Sequence, residues 1–440
     1  MEILLCLSLS LIAGLMLSRL AKKAGLPAVT AYLIAGVLLG PYLLGAFGVK
    51  GLGFISAADV HSFSIISDVA LGFIAFSIGN EFRLADLKKI GKQATVVGIF
   101  QAVVATLLVD AALIGLHFAM PDKLPLPAAI VLGAVASATA PAATLMVVRQ
   151  YKAKGPLTNM LLPVVALDDA VGLILFAISF GVAKALISGT VDIISVIVEP
   201  LVEVVLSVVL GAVMGLLITF FERFFHSRSK RLSMSVAFVL LTVALSSLKF
   251  EIGGVHIAFS SLLTCMMLGT VFCNTCDFSE ELMDRLDRWT APIFILFFVI
   301  SGAELELSVL GDIAVVVIGL VYIIARSAGK YAGSYASAKA THCDPNIVKY
   351  LGITLLPQAG VALGMALKAK EHLGAEGSIV SNITLMAVLI YELVGPLLTK
   401  LCLLKAGDIK PEHRTSAREE AKQKMAEAAA AENAEAPALK

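Results

Sequence analysis

Apolar stretches long enough to cross a bilayer recur along the whole chain, and charged residues fall mostly between them. A hydrocarbon core about 30 Å thick takes roughly 20 helical residues. Stretches of that kind centre near residues 11, 36, 73, 105, 138, 172, 208, 240, 262, 296, 322, 358 and 390. The pattern predicts an all-α polytopic membrane protein with about 13 transmembrane helices. Basic residues cluster after every second span: Arg19, Lys22 and Lys23; Arg83, Lys88, Lys89 and Lys92; Arg149, Lys152 and Lys154; Arg223, Arg228, Lys230 and Arg231; Arg285 and Arg288. Lys50, Lys123 and Lys249 stand nearly alone in the alternate loops. The positive-inside rule then places the N-terminus outside and the C-terminus in the cytoplasm. The first segment, Glu2 to Leu20, lacks a basic leader and a small-residue cleavage site, so it reads as a retained span rather than a secretory signal.

Composition agrees with this pattern. Of 440 residues, 58% are hydrophobic and 15% charged, against about 25% charged in soluble domains. The net charge of +1 gives no sign of a nucleic-acid partner. Cys273 and Cys276 have metal or redox spacing, but no second pair accompanies them, and they read as thiols at a helix end. No Gly-rich phosphate loop has strand–helix context. No nucleophile–base pair or metal motif appears. The expectation is therefore not an enzyme, with no cofactor. Residues 411–440 are charged and Ala-rich, and form a short cytoplasmic tail, either helical or disordered.

The polar residues inside the spans carry the chemistry. Residues 162–176 form an apolar run with Asp168 and Asp169 near its middle. A carboxylate at the bilayer centre costs about 2.5–3.5 kcal/mol on insertion scales. Two side by side repel, which favours keeping at least one proton. An ion or proton pathway follows as the first reading, and a buried pair that only pins neighbouring helices as the second. Span five holds Ser137, Thr139 and Pro141, and span twelve holds Pro357 and Gln358. Proline removes a backbone donor and disrupts the preceding turn, so each span is a broken helix or a kinked one. Interrupted segments at matching places in two halves point to a transporter binding site. The halves are repeat one at about residues 1–186 and repeat two at about 231–405, joined by a connector at about 187–230, all within a transmembrane domain of residues 1–410. The odd number of spans between them inverts one repeat in the membrane.

Arg326 and Lys330 lie four residues apart in span eleven and share a helix face. Within the bilayer they need nearby acids; near its edge they snorkel. Gln101 sits in an apolar run and needs a partner, on a neighbouring helix or on unwound backbone. Asp110 is expected near the outer end in a solvated role. Glu81 ends span three, as an entrance or boundary residue, and Glu392 lies in span thirteen, which matches span six.

Several motifs together resemble the monovalent cation/proton antiporter superfamily, specifically its bacterial sodium/proton and Kef-like branch. They are Leu26-Pro27 with Gly36 to Pro41, Gly79-Asn80-Glu81, Thr139-Ala140-Pro141-Ala142, Leu167-Asp168-Asp169, Gly329-Lys330 and Pro357-Gln358-Ala359-Gly360. The resemblance implies the sodium/proton antiporter fold, with two inverted repeats and crossed broken helices. It also implies a homodimer whose mobile core crosses the membrane like an elevator. By matched motif, Asp169 resembles the carboxylate that binds sodium and carries the proton, and Asp168 its neighbour that pairs with Lys330 in the ion-free state, with Arg326 as second choice of partner. Both aspartates are the expected sodium ligands. Ser137, Thr139, Pro141, Pro357 and Gln358 would line the site, with Gln101, Glu392 and Glu81 as auxiliaries. The Asp-Asp pair resembles the electrogenic branch. Some relatives carry an acid where this chain has Ala140, so ligation there falls to Thr139, Ser137, backbone carbonyls or water. The expected activity is exchange of sodium (or lithium) for protons across the inner (plasma) membrane. The alternatives are a potassium/proton antiporter, a Kef-like potassium efflux protein, an inverted-repeat solute symporter and an ion channel.

Overall fold

The computed structural model describes residues 2–49, 53–80, 82–188, 199–248, 250–252, 255–305 and 311–410. Glu81, Lys50, Lys249, residues 189–198 of the connector and the tail 411–440 lie outside them.

Helix α1 (Glu2–Lys23) ends on Lys22 and Lys23, cations suited to the negative end of a helix dipole. Helix α2 (Ala28–Leu39) starts after Pro27 and stops at Gly40. A short α3 (Ala57–His61) is held by a capping box of Ser56 and Asp59, and precedes α4 (Ser64–Asn80) and the long α5 (Leu84–Ala119). The fifth expected span is two helices, α6 (Leu126–Val135) and α7 (Pro141–Gln150), with Pro141 in the first turn of the second. Then come α8 (Pro156–Ser188), α9 (Glu199–Glu222) and α10 (Arg228–Ser246). A small antiparallel hairpin follows, β1 (Phe250–Ile252) with β2 (Val255–Ile257). Helix α11 (Ser261–Thr275) is capped by Ser260, and Cys276 is its C-terminal cap residue. Helix α12 (Ser279–Glu304) leads to α13 (Ile313–Ala340), capped by Asp312. The twelfth span is again broken, into α14 (Pro345–Thr354) and α15 (Gly360–His372), before α16 (Gly374–Ala406) closes the bundle.

Every expected span centre lies in one of these helices or, for residues 138 and 358, between the paired short ones. Among the described residues, eight helices are long and apolar enough to cross a membrane, and α2, α4, α6 and α11 are shorter apolar ones. Among the described residues, the hairpin, which the hydrophobic pattern does not show, is the one departure from helices and their connections.

The helices pack as two sets. In one, α5, α6, α8, α13, α15 and α16 share a buried cluster that includes Leu113, Leu132, Phe176, Tyr322, Met365 and Tyr391. In the other, α1, α2, α4 and α9–α12 pack on one another. Small residues allow the close approaches. A Cβ on Gly269 of α11 would fall 2.1 Å from the Phe76 carbonyl of α4, and one on Gly333 of α13 would fall 2.7 Å from the Gln101 Cα of α5. Membrane helices use small residues in this way because backbone contact replaces hydrophobic drive. The second approach brings the polar face of α13 beside Gln101.

Asp110 departs from its expected solvated position. It is half-buried against α6, where a Cβ on Gly133 would fall 1.8 Å from its Oδ1. That oxygen has no hydrogen-bond partner. Helix α6 is apolar and packs on α5, which shields that oxygen while the residue as a whole stays partly exposed.

Candidate functional site

The two breaks meet. The Ala140 amide donates to the Pro357 carbonyl at 2.8 Å, and Gln358 Nε2 donates to the Val135 carbonyl at 2.9 Å. The unwound segments 136–140 and 355–359 therefore cross inside the first helix set. Irregular backbone at membrane depth survives only where its polar groups are satisfied by protein or by water in a cavity. Each break also ends a half-helix, whose last carbonyls lack partners and carry the negative end of the dipole.

One face of α13 supplies the missing donors. Tyr322, Arg326 and Lys330 recur every four residues, and all three are fully buried. Arg326 donates from Nε to the Ala136 carbonyl (3.0 Å), from Nη1 to Leu356 (2.7 Å) and from Nη2 to Ala138 (2.6 Å). Its guanidinium lies 4.5 Å from the centre of the Tyr391 ring. Lys330 Nζ donates to the Ser137 carbonyl and to the Thr139 hydroxyl. The planar fork of arginine suits three fixed acceptors better than an ammonium would. Arg326 is thus bound to carbonyls, and no described acid pairs with it. The expectation of an acid partner for it is corrected: the half-helix ends supply the negative charge it needs.

Lys330 does have an acid. Its Nζ lies 2.6 Å from Asp168 Oδ2, with both side chains wholly buried. Thr139 donates to the same Oδ2, and Gln101 Nε2 donates to Oδ1 at 2.6 Å. Asp168 is therefore tied to α13, to the first break and to α5 at once.

Asp169 differs sharply. It is 1% exposed, yet neither carboxylate oxygen has a hydrogen-bond partner. Adjacent residues on a helix project about 100° apart, so one aspartate can face Lys330 while the next does not. Buried polar groups are normally satisfied, and an exception calls for an explanation such as a missing ion. The described residues nearest in kind to alkali-ion ligands, Thr139 and the carbonyls of Ser137 and Ala138, are engaged by Asp168, Lys330 and Arg326.

The remaining expected site residues fall in different places. Ser137, Thr139, Pro141, Pro357 and Gln358 all sit at the crossing. Gln101 joins it through Asp168. Glu392 does not reach the Asp168 cluster; it lines a cavity of about 560 Å³ between the two helix sets. The pattern of apolar spans gave no warning of the tyrosines. Tyr322 OH accepts from Gln358 at 2.9 Å, and Tyr391 OH meets Ser327 at 2.8 Å. The four-residue step from Tyr322 to Arg326 was the available signal for the first of them.

Removing one member of a buried ion pair leaves the other uncompensated, at about 3–5 kcal/mol. Lys330→Ala is therefore expected to lower thermal stability by an amount in that range, far more than Lys123→Ala at an exposed position. Thermal unfolding of the purified variants checks this, and equal shifts for the two would count against the pair.

Known proteins share this architecture. The family described as sodium/hydrogen exchanger, transmembrane, matches residues 7–405. The Na(+)/H(+) antiporter NhaS4 of Synechocystis sp. is 24% identical over 414 residues, spanning 91% of this chain and 96% of that one. A structure of the sodium proton antiporter MjNhaP1 from Methanocaldococcus jannaschii at pH 8 superposes with a TM-score of 0.62 at 21% identity, covering 92% of this chain and 97% of the other. A second MjNhaP1 structure, from an electron-microscopy map, gives a TM-score of 0.65 at 19% identity over 91% and 94% of the two chains. Relatives in sequence and in fold are thus named as transporters, not enzymes, and the solved ones share this chain's fold. The chain belongs to the transmembrane sodium/hydrogen exchanger family.

Proposed function

We propose that this protein is a secondary antiporter that exchanges sodium (or lithium) for protons, with Asp169 as the group both cargoes share. The observation that carries the reading is the buried, partnerless carboxylate of Asp169 beside a neighbour already neutralised by Lys330. A carboxylate can hold a proton or a hard cation, and oxygen donors suit alkali ions. When the cation arrives the proton must leave, and this competition couples the two flows. Ser137, Thr139, backbone carbonyls and water are the proposed additional ligands, released from Lys330 and Arg326 as the cation enters. The potassium and Kef-like alternatives are not favoured, because the family matched is the sodium/hydrogen exchanger family.

The wider arrangement belongs to the same proposal. The chain crosses the inner (plasma) membrane about thirteen times, with the N-terminus outside and the C-terminus in the cytoplasm, a reading supported by the alternation of basic loops. The set containing α5–α8 and α13–α16 is the mobile core, built from the two inverted repeats. The set containing α1, α2, α4 and α9–α12 forms the homodimer contact against which the core moves as an elevator. Exchange is electrogenic, because Lys330 is able to lose its proton when the cation draws Asp168 away.

Two experiments in proteoliposomes test this. Sodium, lithium and potassium are added separately while proton movement is followed. Wild-type protein is expected to respond to sodium or lithium, and Asp169→Asn is expected to lose the response while remaining folded. Transport by Asp169→Asn at the wild-type rate would sink the assignment. The membrane potential is then clamped with valinomycin and potassium, after potassium has been shown not to be transported. Moving one net charge through 100 mV is worth about 2.3 kcal/mol, so the clamp should shift both rate and end-point. Indifference to it would mean electroneutral exchange.

A further inference from the structure

The cavity between the helix sets is separate from the aspartate cluster, because neither Asp168 nor Asp169 lines it. Its volume of about 560 Å³ is ample for many waters, each of which occupies about 30 Å³ in the liquid. Its inner wall is formed by Ala140 and Pro141 at the first break and by Ala359 and Gly360 at the second. It therefore reaches the residue next to Thr139, which bonds Asp168.

The charged residues lining it are Asp68, Glu304 and Glu392, all of them acids. Asp68 and Glu304 are exposed and close enough to repel one another. Glu392 is different: it is 3% exposed, it lines the cavity, and its Oε1 has no hydrogen-bond partner. The Ser67 hydroxyl, also on the cavity, is a second buried oxygen without a partner. The buried cations of α13 are committed elsewhere, Arg326 to three carbonyls and Lys330 to Asp168. A cleft lined by one sign of charge between low-dielectric walls concentrates the opposite ion. Among the described residues no three His, Cys, Asp or Glu side chains are placed to share a metal ion. The chemistry therefore fits a partly hydrated monovalent cation held by one carboxylate, hydroxyls and water.

We propose that this cavity is a second cation-binding station, with the Glu392 carboxylate as its anchoring ligand and Ser67 as a supporting one. The station deepens the exchange reading, on which its transport role rests: a cation pauses at Glu392 between the exposed acids and Asp169.

The test is thermal unfolding of the full-length purified protein titrated with sodium chloride, against choline chloride at equal ionic strength. Asp169→Asn is expected to keep a saturable, sodium-specific rise in Tm. Asp169→Asn/Glu392→Gln is expected to lose it. A rise that persists undiminished in the double variant would overturn the proposal, as would no sodium-specific rise in Asp169→Asn. A Glu392 that only balances the positive ends of α7 and α15 would lower Tm equally in both salts, which also overturns it. Should the double variant fail to fold, Asp169→Asn/Ser67→Ala is expected to need several-fold more sodium for half the rise, and an unchanged value would again overturn the proposal. Failure of the exchange reading shows separately, as wild-type vesicles in which sodium moves no protons.

Discussion

Two helices are interrupted within the bundle, and the carbonyls freed by those interruptions have to be satisfied without bulk water. That constraint organises the site. Arg326 and Lys330, one turn apart on α13, donate to the carbonyls of Ala136, Ser137, Ala138 and Leu356. Two buried cations are tolerable there because they face the negative ends of half-helices. Asp168 adds the counter-charge for Lys330, and Thr139 and Gln101 fix its two oxygens. Once these pairings are made, Asp169 is left with buried oxygens and no partner. The crossing thus holds a structural carboxylate and a spare one on consecutive residues.

Such a division of labour has an energetic logic. A fully paired acid contributes to holding α5, α8, α13 and the first break together, and removing its partner is costly. An unpaired acid contributes little to that framework and keeps its capacity to bind something else. Because helix geometry turns successive side chains by about 100°, the two tasks can be placed side by side without being shared. The cavity beyond Pro141 repeats the theme at Glu392, another buried acid without a partner.

Much of this was legible in the sequence because the bilayer imposes strong rules. Span positions followed from apolar length, and the breaks from Pro141 and Pro357 inside such runs. The shared face of Arg326 and Lys330 followed from their four-residue spacing. Their partners did not, since spacing fixes a direction on one helix and says nothing of what lies opposite. Arg326 was paired with an acid in expectation because burial of a cation demands negative charge, and carbonyl dipoles were the overlooked source of it. Asp110 was placed in water by its position in the span, whereas the packing of α6 over it is a tertiary fact. Glu392 was matched to span six by the repeat, yet the structure turns it into the cavity. The hairpin 250–257 is too short to leave a mark in the hydrophobic pattern.

The central claim is that Asp169 takes the cation and yields its proton, while Asp168 pairs with Lys330 until the cation arrives and then frees Lys330 to yield a second. Counting the protons released as sodium is titrated into the weakly buffered, purified protein tests it most directly. The wild type is compared with Asp168→Asn/Lys330→Gln, in which both charges of the pair are removed together. The double variant is expected still to bind sodium and to release one proton, from Asp169, where the wild type releases two. Loss of sodium binding in the folded double variant, or an identical proton count in the two proteins, would contradict it.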